Sequence, residues 1–381
     1  METLGKYAAK YSKYDLCLIF SEFDMEFWQG KKVFITGHTG FKGSWLSLWL
    51  QSLGAEVIGI SLAPPTQPNF FEIVQLSQGM ISILGDIRDF QLVQATLRKY
   101  KPEIVIHMAA QSLVRYSYLA PIETYATNVM GTVNLLEAAR LSDSVKVLIN
   151  VTSDKCYENK ELLRGYREED RLGGYDPYSN SKACSELVTQ AYSRSYLKNL
   201  GINIATARAG NVIGGGDWAK DRLVPDIVNA CIKQQDILLR YPDALRPWQH
   251  VLEPLNAYLI LAKQLYESSP GYTDAWNFGP DENQALKTVS WLAERIIQNW
   301  GCTIKWIKST QAHKHEASLL KLNSSKANLN LAWKPCWDIE TAISHTIGWY
   351  KDYIRGEGMQ KKSLAQISEF LEKYNLSASL A

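Results

Sequence analysis

The chain has 381 residues, 46% apolar and 21% charged, with a formal net charge of +2. That length suits one large α/β unit with an appended lobe, or two domains, and the near-neutral balance points to neither nucleic acid nor a membrane surface as partner. No apolar run approaches the roughly 20 residues of a membrane span, and Cys17, Cys156, Cys184, Cys231, Cys302 and Cys336 are scattered without a C-x-x-C, so no disulfide framework or metal site is indicated and a reducing cytoplasm fits.

Residues 1–25 read as an N-terminal extension. The run Leu16–Phe20 is short, acids follow it, and no small-residue cleavage site appears. Met25 stands just ahead of the first strand-loop unit, so residues 1–24 read as lying upstream of the working start; an intact Met1 terminus in the native protein would refute this.

Val33–Thr36 is the first predicted strand. It runs into Gly37-His38-Thr39-Gly40-Phe41-Lys42-Gly43, and a helical run follows over 44–53. Gly37 permits a tight turn, Gly40 a close backbone approach to a pyrophosphate, and Gly43 close packing of helix on sheet. The helix N-terminus presents free N–H groups to the phosphates. Further strands are expected at 57–61, 81–84, 104–108, 145–151 and 202–208, with helices at 90–99, 121–140 and 178–197 between them. Continuous apolar strands alternating with helices give an α/β fold, a doubly wound parallel Rossmann-like sheet. The expected division is 26–208 for the dinucleotide-binding domain, with elements around 241–270 returning to it. A smaller mixed α/β substrate lobe covers 209–355, and a polar helical tail 356–381.

Ligands of such sheets bind beyond the C-terminal strand ends. Ser61 occupies the position where an acid usually holds the adenosine ribose, and no Arg or Lys follows it, which favours NAD over NADP, although Lys42 in the loop is able to reach a phosphate. In Asp86-Ile87, the aspartate is placed to accept from an adenine amino group or to cap the helix at 90–99. Tyr178 and Lys182 lie four apart on one helical face, where a cation acidifies a phenol for proton abstraction. Ser153-Asp154-Lys155 follows the fifth strand at the same sheet edge, and Ser153 is placed to bond the same substrate oxygen as Tyr178.

These motifs resemble the extended short-chain dehydrogenase/reductase family, and within it the nucleotide-sugar 4,6-dehydratases, from about residue 26 to about 350. His107-Met108-Ala109-Ala110-Gln111 is similar to the family's strand-four motif, Asn128 to its helix-four asparagine, and Arg246-Pro247-Trp248-Gln249-His250-Val251 to the stretch meeting the nucleotide diphosphate. The glycine loop through Leu46, with Ser153-Asp154-Lys155, is most similar to the branch acting on CDP-glucose; other branches usually carry Asp-Glu at this pair.

The resemblance implies a reaction that returns its NAD unchanged. Tyr178 takes the O4 proton as C4 is oxidised, a base removes the C5 hydrogen, Asp154 protonates the departing C6 hydroxyl, and hydride returns to C6. The product is a 4-keto-6-deoxy sugar for O-antigen and lipopolysaccharide synthesis. Lys155 is either the C5 base or a charged donor to the enolate. Asn211, Arg222, Arg246 and Trp248 are candidates for the nucleotide end, and Arg115 and Tyr116 for the hexose pocket. Implied partners are the nucleotide-sugar substrate CDP-glucose and a second copy of the chain, in a homodimer or homotetramer built on helices 121–140 and 179–198. Alternatives are another nucleotide-sugar dehydratase, a 4-epimerase, which needs no C5 base or O6 acid, and a non-catalytic NAD-binding regulator, which typically lacks the Tyr/Lys pair.

Overall fold

Val33, Phe34 and Ile35 are fully buried on both faces, as are Ile104, Val105 and Ile106 beside them. Side chains apolar on both faces need helices above and below, and a parallel sheet with crossover helices supplies them. The structure, a computed structural model, describes residues 22–267, 271–281, 286–311 and 318–379. Its main sheet contains β1 (Lys32–Thr36), β2 (Glu56–Ser61), β3 (Ile81–Leu84), β4 (Ile104–His107), β5 (Val147–Val151), β6 (Asn203–Ala209) and β11 (Ala275–Phe278). All pairings are parallel, in the order β11-β6-β5-β4-β1-β2-β3. Thr36 pairs with Ile60 on one side and His107 on the other, and His107 pairs with Asn150. The strand ends therefore form one edge, and the order reverses between β1 and β4, where a crevice opens.

The helices are α1 (Glu22–Trp28), α2 (Phe41–Ser52), α3 (Phe70–Ile73), α4 (Phe90–Tyr100), α5 (Val114–Leu119), α6 (Pro121–Tyr125), α7 (Gly131–Arg140) and α8 (Pro177–Tyr192). Two expected helices differ. The run 121–140 is interrupted by a π turn, Ala126–Met130, and the run 178–197 closes on another, Ser193–Leu197. An extra residue per turn rotates one side chain inward; in the first turn it is Asn128, buried and fully bonded. Helix α5 was not anticipated.

Beyond Ala209 come β7 (Val212–Ile213), α9 (Leu223–Lys233), β8 (Ile237–Leu239), β9 (Leu245–Arg246), β10 (Gln249–His250) and α10 (Leu252–Glu267). After β11 follow β12 (Lys287–Thr288), α11 (Val289–Trp300), β13 (Trp306–Lys308), α12 (Ser325–Asn330), α13 (Ile339–Ile354) and α14 (Met359–Ser379). Helix α10 lies against β5 and β6, and β11 extends the sheet at an edge that sequence reading missed, because Ala-Trp-Asn-Phe is too short a run to stand out. The stretch read as a polar tail is helical but not peripheral. Ile367, Phe370 and Leu371 of α14 are buried, Phe370 meets Trp49 and Trp337, and Trp349 donates to Ser363 Oγ at 2.9 Å. Of the expected extension, residues 1–21 lie outside the described residues; α1 spans its boundary with Trp28 buried.

Candidate active site

Gly37 leaves β1 with φ +80°, and its amide donates to the Ile60 carbonyl at 2.8 Å. Gly40 caps α2 without any side-chain acceptor. The first amides of α2 thus have no partner from a side-chain cap, which suits this helix start to a phosphate. A Cβ on Gly43 would fall 2.1 Å from the Gly37 carbonyl oxygen, so only glycine closes the loop onto the helix. These features fit a dinucleotide pyrophosphate. Thr39 Oγ1 donates to the Leu62 carbonyl at 2.8 Å and meets Ser61 Oγ at 2.7 Å, so Ser61 and Thr39 join the ends of loop and β2. His38, whose role was opaque in sequence, is buried and bonds Ser82 Oγ on β3 through Nε2 at 2.7 Å; burial lowers its pKa to about 4. Trp45 Nε1 donates to the Gly215 carbonyl at 2.9 Å, tying α2 to the segment after β7.

Asp86 does not cap a helix. Asp89 caps α4, accepting from the Leu92 amide at 3.0 Å, while Arg88 grips both oxygens of Asp86, with Nη2 at 2.5 Å, and holds its carboxyl below the usual carboxylate range. The expected acceptor for adenine is therefore already engaged by a neighbour two residues on. Ile87 is buried beside it, against Gly131. On the other side of the crevice the Ala109 amide donates to Thr36 Oγ1 at 3.1 Å, and Ala110 is half-buried. Gln111 and Asn128 exchange bonds, amide to Oδ1 at 2.8 Å and Nδ2 to carbonyl at 3.0 Å, and Asn128 also donates to Ser181 Oγ at 2.9 Å. Asn128 thereby pins the loop after β4 to α8.

Asp176 caps α8, accepting from the Ser179 amide at 2.9 Å, and Pro177 occupies its first turn, so Tyr178 and Lys182 face the sheet edge from a fixed helix start. Both are buried. Lys182 Nζ donates to the Val151 carbonyl at 3.2 Å, and burial lowers its pKa to about 8. Tyr178 departs from the sequence expectation. Burial pushes its pKa up to about 12; a hydrogen-bonding contact with Ser153 and the charge of Arg222 pull the other way, and Asp154 raises it further. The ammonium one turn along is directed at a backbone carbonyl, so burial outweighs the acidification expected from the pair. Ser153 Oγ lies 3.0 Å from Asp154 Oδ1 and accepts from the Lys155 amide at 3.2 Å. Asp154 is buried, and desolvation raises its pKa against the opposing charges of Lys155 and Arg246. A carboxyl held toward its neutral form beside a phenol and an ammonium can donate a proton where the tyrosine cannot.

Sequence reading missed what lies beneath this group. Arg208 and Glu186 form a fully buried ion pair, Nη2 to Oε2 at 2.8 Å, and the same carboxylate accepts from Thr206 at 2.7 Å and from Thr152. Arg208 Nη1 also donates to Tyr157 Oη at 2.7 Å. Thr152 and Tyr157 bracket Ser153-Asp154-Lys155, so the ion pair anchors both ends of that turn. Glu186 stands four residues after Lys182, a helical spacing that was available as a signal. His107, the first residue of the strand-four motif, is held in the interior: its ring lies between Thr36 Oγ1 at 2.6 Å and Thr132 Oγ1 at 3.1 Å, and burial lowers its pKa to about 3.

The substrate candidates divide. Arg246 is buried, donates to the Leu245 and Ser318 carbonyls, and its charge reaches Asp154; with Trp248 it lines a cavity closed by Pro280, Lys287 and Leu322. Asn211 is half-buried, next to Gly210, whose α-carbon faces Asp154. Arg222 bonds Asp217 at 2.9 Å and Ser112 at 3.0 Å, and its charge reaches Tyr178. Arg115 forms an exposed ion pair with Asp221 at 2.7 Å. Tyr116 departs from its expected place in the hexose pocket: α5 turns it outward, and its hydroxyl donates to Glu123 at 2.6 Å. Among the described residues no His/Cys/Asp/Glu cluster has metal-binding geometry.

The family model described as GDP-mannose 4,6 dehydratase matches residues 34–346. The chain is 51% identical over 353 residues to a CDP-glucose 4,6-dehydratase of Salmonella typhimurium, covering 91% of this chain and 98% of that one. Among solved structures, a UDP-glucose 4-epimerase of Thermotoga maritima with UDP-glucose superposes with a TM-score of 0.75 at 20% identity, over 85% of this chain and 99% of that one. A dTDP-glucose 4,6-dehydratase of Streptomyces venezuelae with NAD bound gives 0.72 at 22% identity, over 86% and 98%. At those identities the likeness to the solved structures concerns the fold.

Proposed function

The chain belongs to the GDP-mannose 4,6 dehydratase family, and we propose that it is a hydro-lyase converting CDP-D-glucose to CDP-4-keto-6-deoxy-D-glucose and water. The observation that carries this is the buried Asp154, held toward its protonated form between Ser153 and Lys155 beside Tyr178. Oxidation and reduction at C4 alone need only Tyr178 and Lys182. A further acid and a further amine at the same edge supply what water elimination needs. The 51% identity to a CDP-glucose 4,6-dehydratase supports the choice of nucleotide.

The glycine loop from Gly37 to Gly43 would hold NAD, which would supply hydride transfer between C4 and C6. The chain's residues do the remaining work. The amides at the start of α2 hold the pyrophosphate, Thr39 and Ser61 shape the ribose end, and Asn128 fixes the loop carrying Ala109, Ala110 and Gln111. Tyr178 Oη removes the O4 proton, and Ser153 Oγ bonds the same oxygen. The resulting ketone acidifies C5–H. Lys155 takes that proton and gives it back to C5 when hydride reaches C6, and Asp154 delivers its own to the C6 oxygen, so that water departs with the C6–O bonding pair. Arg246, Trp248 and Asn211 face the nucleotide diphosphate, and Arg222 the sugar. The product serves deoxysugar assembly for surface polysaccharide.

The same reading has the protein acting in the cytoplasm as a homo-oligomer, dimer or tetramer. The cysteines among the described residues are free, and no described helix is long and apolar enough to cross a membrane. Leu119, Ile122, Met130 and Leu187 expose apolar surface on α5, α6, the π turn and α8, and pairing with a second copy would cover it. Sedimentation of the purified chain tests this; a monomer at micromolar concentration refutes it. For the activity, the protein is incubated with CDP-, dTDP-, GDP- and UDP-glucose while the alkaline absorbance of 4-keto sugars is followed. Turnover of CDP-glucose is expected, and exclusive turnover of another nucleotide sugar would overturn the assignment.

A further inference from the structure

Cys231 and Cys302 stand 71 positions apart in the chain, yet their sulfurs meet: the Cys302 thiol donates to Cys231 Sγ at 3.3 Å. Both thiols are free; Cys231 is fully buried in the core, and Cys302 is half-buried against it. Two separate features bring them together. Cys231 lies in the last turn of α9, and Cys302 directly follows Gly301, which caps α11 at φ +83° with its amide on the Gln298 and Ile297 carbonyls. Helices α9 and α11 pack on each other. A few residues beyond each cysteine the two segments pair again. The Ile237 amide donates to the Lys305 carbonyl at 2.9 Å, and β8 runs parallel to β13. Helix packing on one side and strand pairing on the other therefore hold the two sulfurs in register.

We propose that Cys231 and Cys302 are a redox-active pair, which hydrogen peroxide converts to an intramolecular disulfide clamping α9 to the end of α11. The half-exposed Cys302 is the sulfur that peroxide reaches. Its attack breaks the O–O bond; one oxygen stays on sulfur as a sulfenic acid, and the other leaves with the thiol proton as water. Cys231 then attacks that sulfur, the S–O bond breaks, and the oxygen departs with the Cys231 proton as a second water. Two thiols are thus oxidised as one peroxide is reduced to two waters, and a dithiol reductant reverses the change. Burial pushes the Cys231 thiol up, so it is a poor first target, but it stands in contact with the sulfur that it has to attack. Cys184 has no such partner at hand: its Sγ meets Asn180 Oδ1 at 3.6 Å. Arg246 and Trp248, which line the substrate-side cavity, lie in the chain between the two cysteines, so the bond closes the loop that carries them.

The test needs no nucleotide sugar and so stands apart from the dehydratase assignment. The purified full chain is treated with hydrogen peroxide and read by intact mass, by non-reducing peptide mapping and by thermal melting. Wild type is expected to lose about 2 Da, to yield one cross-linked peptide pair containing Cys231 and Cys302, and to regain its mass with dithiothreitol. Cys302→Ser, a change at a half-exposed position, should give no cross-link. Cys231→Ser should instead collect oxygen on Cys302 that dithiothreitol does not remove, because the resolving thiol is gone. Closing a loop of 71 positions constrains the unfolded chain, so the oxidised wild type is expected to melt about 5 °C above the reduced one, with no such shift in Cys302→Ser. Oxygen gained at Cys302 of wild type without the cross-link, a disulfide between other cysteines, or a cross-linked chain that melts no higher than the reduced one overturns the inference.

Discussion

The Arg208 guanidinium grips the Glu186 carboxylate through two hydrogen bonds, Nε to Oε1 at 2.9 Å and Nη2 to Oε2 at 2.8 Å, with neither side chain more than 1% exposed. Removing one partner strands the other charge in the interior. Glu186→Gln is expected to lower stability by about 3–5 kcal/mol, read as a drop in the urea midpoint at constant slope. Glu186→Leu with Arg208→Met, which removes both charges, is expected to recover most of that stability. The double variant should still turn over poorly, because Thr152 and Tyr157 have lost the group that fixes the turn carrying Asp154. An equally active double variant would mean the turn holds itself.

In the proposed reaction Lys155 and Asp154 divide the elimination between them, and single substitutions separate the halves. Lys155→Met is expected to stop exchange of the C5 hydrogen with deuterated solvent while C4 oxidation, seen as reduced-nicotinamide absorbance, persists. Exchange at the normal rate would pass the base role to another residue and leave Lys155 as a donor to the enolate. Asp154→Asn should keep both oxidation and exchange and lose the loss of water, with turnover down about 10²–10⁴-fold. Because Asp154 must be protonated and burial raises its pKa, wild-type turnover should fall as pH rises through that raised value, and this limb should vanish in the variant.

His107 makes the fold acid-sensitive. Its imidazole is buried between two hydroxyls with its pKa lowered from 6.5 to about 3. Between those values the unfolded chain binds a proton that the folded chain refuses. The stability that this group confers is therefore whole above pH 6.5 and is lost as pH falls toward 3, at about 1.4 kcal/mol per pH unit. His107→Asn is expected to flatten the dependence of unfolding free energy on pH over that window by about one proton. A slope equal to that of wild type would show that His107 is protonated in the folded state.

The legible parts of this chain were those where one residue type answers one backbone demand. Gly37 and Gly43 are glycines because of a left-handed turn and a 2.1 Å approach, and the strand runs are apolar because both their faces are buried. The Tyr178 and Lys182 spacing follows from one turn of α8. The illegible parts depended on distant partners. Asp86 is the exception: its partner Arg88 and the cap Asp89 stand two and three residues on, and the sequence left open which acid does which job. Nothing local marked Lys42 as facing Tyr258, which lies 216 residues away. The four residues of β11 have a strand's identity only because β6 stands beside them. The C-terminal helix read as polar because its apolar positions are few, and their burial was set by tryptophans far upstream.

Phe370 shows how much that last helix carries. Its ring is fully buried, with centroids 5.8 Å from Trp49 on α2 and 5.3 Å from Trp337 ahead of α13. It thus joins α14 to the helix of the glycine loop and to the start of α13. Phe370→Ala leaves a ring-sized void among aromatic neighbours that cannot collapse into it, and such truncations lower stability by about 3–5 kcal/mol. Phe370→Leu, which keeps most of the volume, should lower it by less than about 1.5 kcal/mol. Because α2 also presents the phosphate-binding amides, dinucleotide affinity should weaken in Phe370→Ala and survive in Phe370→Leu, as measured by calorimetric titration of the purified variants. Equal melting midpoints for wild type and Phe370→Ala would mean that α14 is an accessory layer and that the Trp49 contact transmits nothing to the loop.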